Sequence, residues 1–205
     1  MTGNAHRARL VRGLLGRSIE VKRALIEGDY PERLVDIGEL CIGALASGGK
    51  LMFCGNGGSA ADAQHLAAEL LVRLRPEVDR QGLPAIALAL DTSSLTACAN
   101  DYGYDFVYER ATRALGRRGD VLIGITTSGK STNVIRAFQA ARQMGITTVG
   151  FLGGGGGPIL PDCDRAIVVP FAETGRIQEG HIALGHALME IIEDGLIDCG
   201  YIGKV

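Results

Sequence analysis

Five short apolar runs, at 50–55 (KLMFCG), 83–90 (LPAIALAL), 120–126 (DVLIGIT), 146–152 (ITTVGFL) and 165–170 (RAIVVP), alternate with segments of helical periodicity at 59–74, 104–117, 131–144 and 175–195. The runs carry no apolar/polar alternation, so each predicts a strand buried on both faces, as in a parallel sheet covered by helices. Two further helices are expected at 5–28 and 31–47, with Pro31 in a first turn and Gly48-Gly49 closing the second. The pattern predicts an α/β protein: a three-layer, doubly wound, mostly parallel five-stranded sheet with N-terminal helices. No linker divides the chain, so residues 1–48 are expected to pack on an α/β domain spanning 49–205. Gly153 to Gly157 reads as a flexible loop. In such sheets ligands bind beyond the carboxyl ends of the strands, which directs attention to the polar residues there.

The first of these ends is Gly55-Asn56-Gly57-Gly58-Ser59, running from a strand into a helix. Backbone N–H groups at a helix start, unobstructed by Cβ atoms, favour a phosphate or another oxyanion. The competing reading makes Ser59 a helix cap, in a capping-box-like pattern with Asp62. Gly55-x-Gly57-x-x-Ala60 also satisfies a loose dinucleotide fingerprint. The following helix carries Asp62, His65 and Glu69, however, and no acid closes the next strand. His65 and Glu69 are four apart, on one helix face, and fit either a metal pair or a solvated surface.

The second end is Thr126-Thr127-Ser128-Gly129-Lys130-Ser131. Its hydroxyls and the N–H groups of the next helix form a second oxyanion cradle, unless Ser131 is only an N-cap. Gly124 to Ser131 matches G-x-x-x-x-G-K-S, but Gly124 falls inside the strand, and no later strand ends in the magnesium-holding acid of a nucleotide triphosphatase. The last helix adds Arg176, Gln178, Glu179, His181 and His186. At 100° per residue Glu179 and His186 lie within about 20° of one another and Gln178 about 80° from His186, so geometry alone pairs Glu179 with His186.

Composition narrows the ligand. With 21 Lys+Arg against 23 Asp+Glu there is no electrostatic footprint for nucleic acid or an anionic membrane, and a small molecule fits better. The cysteines Cys41, Cys54, Cys98, Cys163 and Cys199 form no C-x-x-C pair and read as reduced thiols of a cytoplasmic protein. No secretory h-region and no membrane span are found.

The segments CGNGGSAADAQHLAAEL, ALDTSSLTACANDYGYD, GDVLIGITTSGKS and GRIQEGHIALGH, in this order, resemble the phosphoheptose isomerases of the sugar isomerase (SIS) superfamily, a flavodoxin-like fold. The resemblance runs from about residue 30 to 195. It implies conversion of sedoheptulose 7-phosphate to D-glycero-D-manno-heptose 7-phosphate in a homotetramer with sites at subunit interfaces and one Zn2+ per subunit. It places the metal on His65, Glu69, Gln178 and His186, replacing Glu179 by Gln178. Glu69 is the implied base and His186 the implied acid. Substrate would be held by Asn56, Gly57, Gly58, Ser59, Glu69, Asn100, Asp101, Thr126, Thr127, Ser128, Ser131 and Gln178. Gly175 stands where relatives often have Asp, Ala or Pro. The alternative is a non-catalytic SIS protein that binds a sugar phosphate or a protein partner, against which the joint presence of Glu69 and His186 counts.

Overall fold

The computed structural model describes residues 3–203. Two helices, α1 (Gly3–Glu27) and α2 (Tyr30–Ala46), precede β1 (Leu51–Gly55), α3 (Gly58–Leu71) and β2 (Ala85–Ala87). Then come α4 (Thr92–Tyr102), a 3-10 turn (Tyr104–Phe106), α5 (Val107–Leu115), β3 (Val121–Thr126), α6 (Thr132–Met144), β4 (Thr147–Leu152), a 3-10 stretch (Gly154–Asp162), β5 (Arg165–Val168) and α7 (Thr174–Asp198). The five strands are parallel throughout, in the order β2-β1-β3-β4-β5. The unalternating strand runs are explained by burial on both faces. In β1, Leu51 and Phe53 enter one core with Leu34, Leu66 and Leu188, while Met52 and Cys54 enter a second with Val134 and Phe138.

Two expectations are corrected. The helix expected at 104–117 is shorter, and a separate helix, α4, precedes it. Asp91 caps α4, accepting from the N–H groups of Ser93 and Ser94, and Gly103 ends it at φ 92°. No α4 residue is buried, so it lacks the apolar stripe that marks a helix in sequence. The apolar run 83–90 contributes only Ala85–Ala87 to the sheet, because β2 is an edge with one neighbour. No helix among the described residues is long and apolar enough to cross a membrane.

α7 packs Ile177, Leu184, Leu188 and Ile192 into the first core, and it also buries a histidine. His181 is 1% exposed, and its Nε2 lies 3.0 Å from the carbonyl oxygen of Leu152; since a carbonyl only accepts, Nε2 carries the proton and Nδ1 is a buried acceptor without a partner. Burial pushes its pKa from 6.5 down to about 4. The unfolded chain therefore takes up a proton that the native state refuses until pH is near 4. Stability from this residue is complete above about 6.5 and is lost as pH falls toward 4, by about 3 kcal/mol. His181→Gln keeps a donor for Leu152 and should flatten this part of the profile. Urea midpoints at pH 7.5 and 4.5 test it: an unchanged pH difference in the variant sinks the assignment.

Candidate active site

The strand order reverses its winding between β1 and β3, and the loops leaving these two strands face each other across that point. The first loop turns at Gly57, which occupies the N-cap of α3 at φ 56° and supplies no side chain. Ser59 is therefore not the cap; it lies in the first turn, 4% exposed, with its N–H bonded to Asn56 O. The N–H groups of Ala60 and Ala61 return to Gly57 O, so the donors this loop keeps for a ligand lie at Asn56 to Gly58.

In the second loop Ser131 occupies the N-cap position of α6 without capping it; its hydroxyl lies 3.1 Å from Thr126 Oγ1. Ser128 Oγ accepts from Lys130 N at 3.2 Å, and Thr127 is half-buried between them. Gly129, at φ 64°, allows the turn, and a Cβ there would strike Gly156 and Gly157. The Gly153 to Gly157 segment is accordingly not a free loop. Gly153 N donates to Thr126 O and Ile159 N to Gly129 O, so it braces the cradle from behind.

The third group joins α3 to α7. The two helices run side by side in one direction, Gln178 resting on Gly58 and His186 meeting His65. His65 Nε2 lies 2.8 Å from His186 Nε2 and 3.2 Å from Glu69 Oε1, and one ligand atom from each of the three falls within 4.8 Å of the others. Two imidazole nitrogens and a carboxylate oxygen converging this closely suit a divalent cation such as zinc, whose tetrahedral N/O ligands stand about 3.3 Å apart. Asp62, one turn before His65, has a buried Oδ2 without a partner; burial raises its pKa against the pull of both histidines.

Other expected residues lie elsewhere. Gln178 and His186 are eight residues apart, about 12 Å along α7, so one chain does not bring them to a common point. The geometric pairing of Glu179 with His186 also fails: Glu179 Oε1 holds Arg176 Nη2 at 2.5 Å. Asn100 and Asp101 sit exposed on α4, bonded to each other at 2.8 Å. Asp101 lines a cavity of about 870 Å3 between α4, β2 and α5, apart from the two cradles. Cys41, Cys54 and Cys163 have thiols pushed up to about 12 by burial, which leaves them unreactive. Sequence reasoning missed Asn133 and Tyr104, both hydrogen-bonded to Asn56: Asn133 lies just past the second loop's motif, and Tyr104 lies inside a quoted segment but carries no chemistry that marks it without its partner.

A model described as the SIS domain matches residues 21–153. The phosphoheptose isomerase of Roseiflexus sp. (strain RS-1) is 53% identical over 181 residues, 88% of this chain and 90% of that protein. That of Chlorobaculum parvum is 57% identical over 148 residues, 72% and 71% of the two chains. The phosphoheptose isomerase from Neisseria gonorrhoeae has a structure similar at a TM-score of 0.85 and 43% identity, covering 91% of this chain and 98% of its own. The sugar isomerase domain of a transcription factor from Sphaerobacter thermophilus, at 20% identity and TM-score 0.64 over 90% and 89% of the two chains, shares the fold alone.

The end of α3 that bears Glu69 is held by charge. Arg80, 8% exposed, donates to Glu69 O and Leu70 O at 2.9 Å and to Glu193 Oε1 on α7 at 2.6 Å; Arg75 takes the other oxygen of Glu193 at 2.6 Å. Arg80→Met leaves the carbonyls of Glu69, Leu70 and Gln81 and a buried carboxylate short of a donor and should cost about 3–5 kcal/mol. Denaturant unfolding checks this, and a loss below about 1 kcal/mol would show that the network carries little.

Proposed function

This chain belongs to the phosphoheptose isomerases of the SIS domain family and acts on sedoheptulose 7-phosphate; we propose that it does so by moving one proton between C1 and C2 through an enediolate. The observation that carries this reading is the convergence of Glu69 with His65 and His186 beside two facing oxyanion cradles. The cradle of Thr126, Thr127, Ser128 and Ser131 holds the phosphate, fixing the sugar in register so that binding energy becomes orientation. Asn56, Gly57 and Gly58 offer N–H donors to the sugar oxygens and Ser59 its hydroxyl, with Asn100, Asp101 and Gln178 as further contacts.

Glu69 takes the C1 proton, and His186 serves as the acid at the oxygen, each step contributing about 10²–10⁴ in rate. Glu69 is well placed for this: its side chain is 15% exposed, and its Oε1 lies 3.2 Å from His65 Nε2. Zinc is the cation suited to His65, Glu69 and His186; when bound it supplies Lewis acidity that polarises the carbonyl and steadies the negative charge. Gln178 joins such a ligand set from a second copy of the chain, since its own lies two turns away on α7.

That requirement ties the metal to assembly as a homotetramer. Of the 25 residues of α1 only Val21 and Leu25 are buried, while Val11, Leu15, Ile19 and Ile26 lie exposed on one face. Such a face calls for a partner, and a second copy of the N-terminal helices supplies one. α1 is also wired to the start of α7, since Arg176 donates to Leu14 O at 2.6 Å and Arg17 pairs with Glu173. Five cysteines free of disulfides suit a cytoplasmic location. A non-catalytic SIS protein would have no need of the paired acid and histidine.

Incubation with sedoheptulose 7-phosphate in deuterated water should yield an aldoheptose 7-phosphate labelled at C2, followed by proton and phosphorus NMR. Glu69→Gln should abolish exchange at C1 while the phosphate still binds; retained exchange removes Glu69 as base. Metal analysis with sedimentation should find one zinc per subunit in a tetramer, and His65→Ala with His186→Ala should lose the metal. A fully active monomer would sink the shared site.

A further inference from the structure

Asn133, the second residue of α6, is 2% exposed and belongs to neither oxyanion cradle, yet it connects them. Its amide forms a reciprocal pair with Asn56 at the other side of the switch point: Asn56 Nδ2 lies 2.9 Å from Asn133 Oδ1, and Asn133 Nδ2 lies 2.9 Å from Asn56 Oδ1. The orientation of a paired amide is ambiguous in isolation, since flipping both members preserves the pair. Here it is fixed by a backbone donor. Val134 N, shared with Ser131 O at 3.0 Å, lies 3.0 Å from the same Asn133 oxygen, and in the flipped pair this N–H would face an amide nitrogen instead.

The consequence passes to Asn56. Its Oδ1 accepts from Asn133 Nδ2 and from Tyr104 Oη at 2.9 Å, which fills both lone pairs. One hydrogen of Nδ2 is used on Asn133, and a single N–H remains. We propose that Asn133 is the positioning residue that makes Asn56 an obligate donor, aiming that N–H at an oxygen of the bound sugar phosphate and holding the two cradles at a fixed separation. Tyr104, half exposed at the mouth, completes the lock from the segment that follows α4. A hydroxyl, carbonyl or phosphate oxygen is welcomed at this point; a donor group on the ligand is refused, because Asn56 has no acceptor left.

The inference rests on the reading of Asn56 as a substrate contact, and the test separates the two. Asn56→Ala, Asn133→Ala and the double variant are compared for kcat and KM toward sedoheptulose 7-phosphate, with thermal melting alongside. Asn133 acting through Asn56 predicts a KM about tenfold higher in each single variant, the size of one lost hydrogen bond to a charged ligand. The double variant should then be no worse than Asn56→Ala, with kcat changed far less than KM. Multiplying effects, or a parental KM in Asn133→Ala, would overturn the positioning role while leaving Asn56 as a contact. A parental KM in Asn56→Ala would overturn both. If Asn133→Ala does not fold, Asn133→Ser, which keeps an oxygen for Val134 N–H, replaces it in the same cycle. Tyr104→Phe should raise KM about threefold, since it frees one lone pair and leaves the amide pair intact.

Discussion

β1 and β3 lie side by side with Gly55 opposite Ile125, and their connections leave toward opposite faces of the sheet. α3 packs with Leu66 and Leu70 on one core, and α6 with Val134 and Phe138 on the other. Two helix starts are thus forced apart above a shared crevice, each presenting backbone donors to it. The two oxyanion cradles and the amide pair between them all follow from this divergence. None would survive a strand order that sent both connections to one face.

The cluster of His65, Glu69 and His186 depends on a second constraint, the parallel packing of α3 against α7. Gly185 lets Leu66 approach α7 so closely that a Cβ would sit 2.8 Å from it. Arg80 and Arg75 then bind the end of α3, and the turn after it, to Glu193. Between these two fixed points His65 and His186 are brought nitrogen to nitrogen. A network costly to bury is kept at the place where a loss of register would separate Glu69 and His65 from His186. The two halves of the site therefore have different supports. The cradles hang from the sheet, and the cluster hangs from a helix pair.

α1 stands outside both supports, with most of its apolar residues exposed, but it touches the first turn of α7 through Arg176 and Arg17. Whatever covers its exposed face is mechanically connected to the helix that carries Gln178 and His186.

By itself the sequence determined the sheet, because burial on both faces leaves an unalternating apolar run that no other parallel element produces. It also determined the two loops, because glycine and hydroxyl residues at a strand-to-helix junction have few other uses. His65 and Glu69 were legible as a pair, since four residues on a helix fix a shared face. Tertiary structure alone decided the rest. α4 escaped because it buries nothing, and Ser59 and Ser131 resembled caps because a hydroxyl at a helix start cannot announce its partner. The pairing of Glu179 with His186 did not follow from angle, because Glu179 is held by Arg176. Asn133 was invisible for the same reason: the meaning of a buried amide lies in its partner, and Asn56 stands 77 residues away.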